Sequence, residues 1–117
     1  MRFILLVALF LLPVSIPVSA HAFTVEDLVE SCVVCAKDFK TGVPSPECSF
    51  CDGVLTGAGS TYTLLEGGKK VCPPNNLDTH RLRNMFRLWA KRNEDSAKEP
   101  AVWGVLESYI EAYPCAR

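Results

Sequence analysis

At 117 residues, with 12 basic and 13 acidic side chains and a formal net charge of −1, the chain is one domain at most and nearly neutral. That balance excludes a nucleic-acid binder, which needs a strongly basic footprint. A domain this small has a marginal apolar core; small secreted domains commonly make up the deficit with disulfides, and this chain carries six cysteines.

Met1-Arg2 gives a short positive start, and Phe3 to Leu12 is an uninterrupted apolar run. Pro13 and Pro17 follow, then small residues at Val18-Ser19-Ala20 and again at Ala20-His21-Ala22. This is the pattern of a secretory signal peptide. The expected signal covers residues 1–20, with an alternative cleavage after Ala22, and the mature domain covers 23–117. A transmembrane anchor would need about 20 apolar residues, and the prolines interrupt this run too early. The mature chain is therefore expected to be soluble outside the cytoplasm, with no membrane association after cleavage.

Thr24 opens the first helix as a cap, with Asp27 three residues on in a weak capping box. Val25, Leu28, Val29, Cys32, Val33 and Ala36 recur at helical spacing, which predicts helix one over about Val25–Phe39, ended by Thr41-Gly42. Ser45-Pro46 opens helix two, serine as cap and proline at the first helical position. In the small-residue run Gly53, Gly57, Ala58 and Gly59 the glycines weaken that helix, which suggests close approach of another backbone. The β-favouring run Thr61 to Leu65 predicts that it loosens after Ser60, and Glu66 to Lys70 reads as a loop. Leu77-Asp78 is a staple and cap for helix three, with Leu82 as the staple partner. Leu82, Met85, Phe86 and Trp89 form its apolar stripe. On a wheel of ~100° per residue, His80, Arg83, Arg87 and Lys91 fall on the opposite side. Asn93 to Ser96 is a short polar connection. Helix four starts near Glu99-Pro100 and repeats Val102, Trp103, Leu106, Tyr109, Ile110 and Tyr113 down to Pro114-Cys115. The fold class is all-α: a small four-helix, disulfide-stapled domain.

The cysteines form two C-x2-C steps, Cys32/Cys35 and Cys48/Cys51, followed by Cys72 and Cys115. This spacing also fits a zinc site or a redox pair; the secretory address makes disulfides the default. If helices one and two are antiparallel, Cys32 faces Cys51 and Cys35 faces Cys48, two bridges one turn apart. Cys72 precedes helix three and Cys115 follows helix four, so in an antiparallel hairpin those two meet.

Candidate chemistry is sparse. His21 borders the cleavage site, and His80 sits beside Arg81 and Arg83 with Asp78 as its one nearby carboxylate. No catalytic residue, cofactor or metal ligand is assigned, and the chain is read as a binding protein rather than an enzyme. The stripe His80, Arg83, Arg87, Lys91 suits an acidic partner, against the plainer reading of a solvated helix face. The tract Gly57 to Lys70, holding Tyr62, reads as a protruding binding loop. Trp89 and Trp103 fall within apolar stripes and are expected in the core.

The segments Asp27-Leu28-Val29-Glu30-Ser31-Cys32, Phe50-Cys51-Asp52-Gly53 with Gly57, Val71-Cys72-Pro73-Pro74, and Glu99-Pro100-Ala101 through Ala112-Tyr113-Pro114-Cys115 stand in order along the mature chain. Together they resemble the resistance-associated (Rap/Tai-type) immunity proteins of type VI secretion systems. The resemblance implies a small helical periplasmic protein, often a homodimer. Its role would be to bind and block a peptidoglycan-cleaving amidase delivered by a neighbouring cell. The family's bridges correspond to Cys32–Cys51 and Cys72–Cys115. Cys35 and Cys48 are additional to that pattern, and Val54 stands where the family usually carries an aromatic residue. The alternative reading is a periplasmic structural or assembly factor with the same fold and no toxin.

Overall fold

Each helix of the fold contributes at least one side chain with no exposed surface to a shared core, among them Leu28, Leu55, Phe86 and Val105. The computed structural model describes residues 22–38, 40–65 and 70–116. The expected signal peptide over 1–20, Phe39 and residues 66–69 of the expected loop lie outside these. Among the described residues, α1 is Val25–Asp38, α2 Pro46–Leu65, α3 Thr79–Arg92 and α4 Ala101–Ala112, with a 3₁₀ turn at Glu94–Ser96.

The helix starts follow the local chemistry read from the sequence. The Thr24 backbone N–H and hydroxyl both donate to the Asp27 carboxylate at 2.8 Å. The Asp27 N–H donates back to Thr24 Oγ1 at 3.3 Å, completing a capping box. Ser45 Oγ accepts the Cys48 N–H at 3.2 Å, and Asp78 Oδ1 accepts the Arg81 N–H at 2.8 Å. Gly42 ends α1 with a left-handed φ of 73°, donating its N–H to Asp38 O at 3.0 Å. The turn is closed again when Ser45 N–H reaches Asp38 Oδ2 at 2.7 Å. Hydrogen bonding from Ser45 holds the Asp38 carboxyl below its ordinary pKa.

Two isolated antiparallel bridges, Thr24 with Pro100 and Val71 with Pro114, tie the helix ends together. Around the first, Val25 N–H donates to Glu99 O at 2.9 Å and Ala101 N–H to Phe23 O at 3.0 Å. The second brings Cys72 beside Cys115. The structure joins Cys32 to Cys51, Cys35 to Cys48 and Cys72 to Cys115, with Cα–Cα distances of 5.1, 4.8 and 4.9 Å, inside the range a disulfide requires.

Three expectations need correction. First, α2 does not loosen after Ser60 but continues to Leu65. Thr63 Oγ1 donates to Gly59 O at 2.9 Å, and Tyr62 packs against the core, so packing overrides the β-favouring composition. Second, Gly53 and Gly57 meet no backbone: an added Cβ there finds nothing within 4 Å. The crowded glycines are Gly59 and Gly104. A Cβ at Gly59 would stand 2.2 Å from the Tyr109 ring, and one at Gly104 would stand 2.6 Å from Val25 Cγ2. Third, Trp103 is not in the core. It is 43% exposed and packs edge-to-face with Trp89, with ring centroids 6.0 Å apart. The face of α4 that is buried instead carries Ala101, Gly104, Val105, Ser108 and Tyr109, whose small residues let α4 approach closely.

Tyr109 OH donates to Leu55 O at 3.2 Å, and burial, helped by the nearby Tyr113, pushes its phenol up to about 12. A side chain at position 59 would therefore press on a fixed ring. Gly59→Ala is expected to cost roughly 2–3 kcal/mol through overpacking. Gly57→Ala, in open space on the same helix, should gain up to about 1 kcal/mol. Urea unfolding of the two variants checks this, and equal effects would refute the assigned packing.

Candidate functional site

The residues singled out for binding do not form one surface. Tyr62 lies within α2 rather than in a protruding loop. It is half-buried and lines an apolar groove of about 420 Å³ against Val102 and Leu106 of α4. His80 is exposed in the first turn of α3.

Arg83 leaves the basic stripe. It is buried, at 8% exposed, and its Nη1 donates to both carboxylate oxygens of Asp52 at 3.2 and 3.3 Å. The same nitrogen lies 3.4 Å from Cys48 Sγ. A long arginine stem lies well along apolar surface while its head finds a counter-charge, and α2 supplies that charge from the residue next to Cys51. Arg83 is thus a strut between α2 and α3, not part of an open face. Cys35, Cys48 and Asp52 bring donor atoms within 4.8 Å of one another. Here the two sulfurs are bonded to each other and the carboxylate is engaged by Arg83.

Arg87 and Lys91 do stand together. Four residues apart on α3, they line one side of a groove of about 750 Å³ that separates α3 from α1. The opposite side carries Glu26 and Glu30, also four residues apart. Val25, Val29 and Val33 from α1 and Leu88 and Ala90 from α3 supply its apolar lining, with Val33 38% and Leu88 57% exposed. Sequence reasoning missed this groove because Val33 counts in the apolar repeat of α1 and Leu88 is assigned to no face. The only signal was that Leu88 sits off the Leu82–Trp89 stripe.

A second exposed apolar feature is the edge-to-face pair Phe23 and Phe50, with centroids 5.1 Å apart. It joins the start of α1 to α2, and no sequence pattern pointed to it. The exposed ion pairs Glu26–Lys98 and Arg92–Glu111 lie outside the helix interior and contribute little to stability.

No helix among the described residues is long and apolar enough to cross a membrane. No curated protein and no solved structure gives a match. A family model describing Rap1a immunity proteins matches residues 24–115, from the Thr24 cap to the closing Cys115. With that match running the length of the four-helix domain, the chain belongs to the Rap1a immunity protein family.

Proposed function

We propose that the mature protein is a periplasmic immunity protein that binds and blocks a peptidoglycan-cleaving amidase delivered by a type VI secretion system. The observation that carries this reading is the family match over residues 24–115. The signal-like sequence at the start of the chain supports a periplasmic site of action. The chemistry of the domain fits inhibition by occupancy rather than by reaction. All six cysteines are held in disulfides, and the exposed His80 sits beside arginines rather than in a cleft of acids. The charged groove between α1 and α3 and the apolar groove beside Tyr62 give such a protein surfaces with which to grip an enzyme.

The test is rescue. Cells exporting a candidate type VI peptidoglycan amidase to the periplasm should lyse, and co-export of this protein should restore growth. The two proteins should also co-purify as a complex. Continued lysis together with no complex would overturn the reading in favour of a structural or assembly role.

A further inference from the structure

We infer that the groove between α1 and α3 is the seat of an amphipathic helix of the partner enzyme. That helix would carry acidic residues along the edge facing α3 and basic residues along the edge facing α1. The inference rests on the immunity reading above and specifies how the enzyme is held.

Two acids and two bases face one another over the groove without pairing across it. Glu26 and Glu30 on α1, and Arg87 and Lys91 on α3, are like-charged pairs at a spacing of four. Such pairs mildly destabilise the helices that carry them. The remedy available within the molecule is pairing across the groove, and it is not taken. Among the described residues no ion pair joins α1 to α3; Glu26 instead meets Lys98, and Glu30, Arg87 and Lys91 have no ion-pair partner. The groove keeps the two rows apart, leaving acids on α1 and bases on α3 facing one space, which Glu94 of the 3₁₀ turn after α3 also lines.

The apolar lining points the same way. Val29 and Val33 repeat at a spacing of four along α1, and Leu88 projects from α3 with more than half its surface open. Two helices that each offer apolar positions to a common groove are the seat that helix-in-groove recognition needs, with anchors at i, i+3 or i+4, and i+7. The charged rows at the edges then fix the direction of the occupant. Acids spaced by four meet Arg87 and Lys91, and bases spaced by four meet Glu30 and Glu26. Complementary charge of this kind sets register and association rate and rejects wrong partners.

The test uses the full mature protein and the candidate amidase of the rescue experiment, with binding measured in solution at two salt concentrations. Arg87→Glu combined with Lys91→Glu should weaken the complex roughly tenfold or more, mainly through slower association and with less effect at high salt. Leu88→Arg should weaken it at least as much through loss of an apolar anchor. Val43→Arg, on the exposed turn between α1 and α2 and outside both grooves, should leave binding unchanged. Unchanged thermal melts of all three variants would establish that the fold is intact. Wild-type binding with undiminished affinity of the groove variants overturns this inference and leaves the immunity reading standing. Failure of the wild-type protein to bind or protect overturns both. If the groove variants change only self-association and leave enzyme affinity intact, a second copy of this chain occupies the groove and the inference is overturned.

Discussion

Replacing Cys72 and Cys115 together by serine is expected to lower stability by about 4 kcal/mol, the chain-entropy value for a loop of this size. The two residues are 43 apart in sequence, the widest separation of the three bridges. Total stability of a small domain is about 5–15 kcal/mol, so the loss is a large fraction of what holds the fold. For a domain of this length it corresponds to a fall in melting temperature of roughly 15–30 °C. The bridge does more than shorten a loop. It secures the junction where Cys72 N–H donates to Tyr113 O at 2.8 Å, Cys115 N–H donates to Lys70 O at 3.3 Å and Val71 pairs with Pro114. Without it the start of α3 and the end of α4 are held by these backbone contacts, the burial of Val71 and the packing of the hairpin.

The comparison that isolates the effect is the Cys35–Cys48 bridge, which spans 13 residues. Cys32–Cys51 lies one turn away and already ties α1 to α2, so the inner bridge constrains an unfolded chain that is largely constrained there. Its removal should cost less than removal of Cys72–Cys115. Equilibrium unfolding in urea of the two double-serine variants, each with its other bridges oxidised, measures both costs. The reverse order of stabilities would show that the closing bridge is not the main covalent brace.

The two bridges between α1 and α2 were legible because a spacing of three residues has one geometric meaning on antiparallel helices. The starts of α1, α2 and α3 were legible for a similar reason: Thr24, Ser45 and Asp78 act on backbone groups within three residues of themselves. Long-range packing was not legible to the same degree. On the α4 wheel, the bulk of Val102 and Trp103 points to a core face, yet Ala101, Gly104 and Ser108 are what let the helix come close to Val25 and Trp89. A pattern read for large apolar residues passes over small ones chosen for contact distance. The glycines of α2 show the same limit, since nothing local distinguishes Gly59 under the Tyr109 ring from Gly57 in open space. Of the candidate binding set, Arg87 and Lys91 were placed together by their spacing, whereas the acidic wall opposite them belongs to a helix about 60 residues away in sequence.

Arg83 is the sharpest case, and it carries the last large expected effect. On the α3 wheel it lies about 60° from Phe86, at the margin of the apolar stripe, where a long side chain can turn either way. The structure turns it inward to Asp52. Arg83→Met is therefore expected to cost roughly 3 kcal/mol, the low end for breaking a buried pair. The low end applies because the Asp52 side chain is 27% exposed and water relieves part of its stranded charge. Most of that cost should come from leaving the carboxylate alone rather than from losing the attraction itself. The double variant Arg83→Met with Asp52→Asn should then recover at least half of the loss, and the double-mutant cycle should show coupling of about 1–3 kcal/mol. Arg83→Lys should not rescue fully, because a compact, strongly hydrated ammonium costs more to bury than the weakly hydrated guanidinium. A cost for Arg83→Met under about 1 kcal/mol would mean that Arg83 behaves as a surface charge, returning it to the open stripe with His80, Arg87 and Lys91. The two roles separate cleanly in one set of variants. Changes at Arg83 should lower the melting temperature and weaken protection only through loss of folded protein. Changes at Arg87 and Lys91 should leave the melting temperature in place and act on the partner.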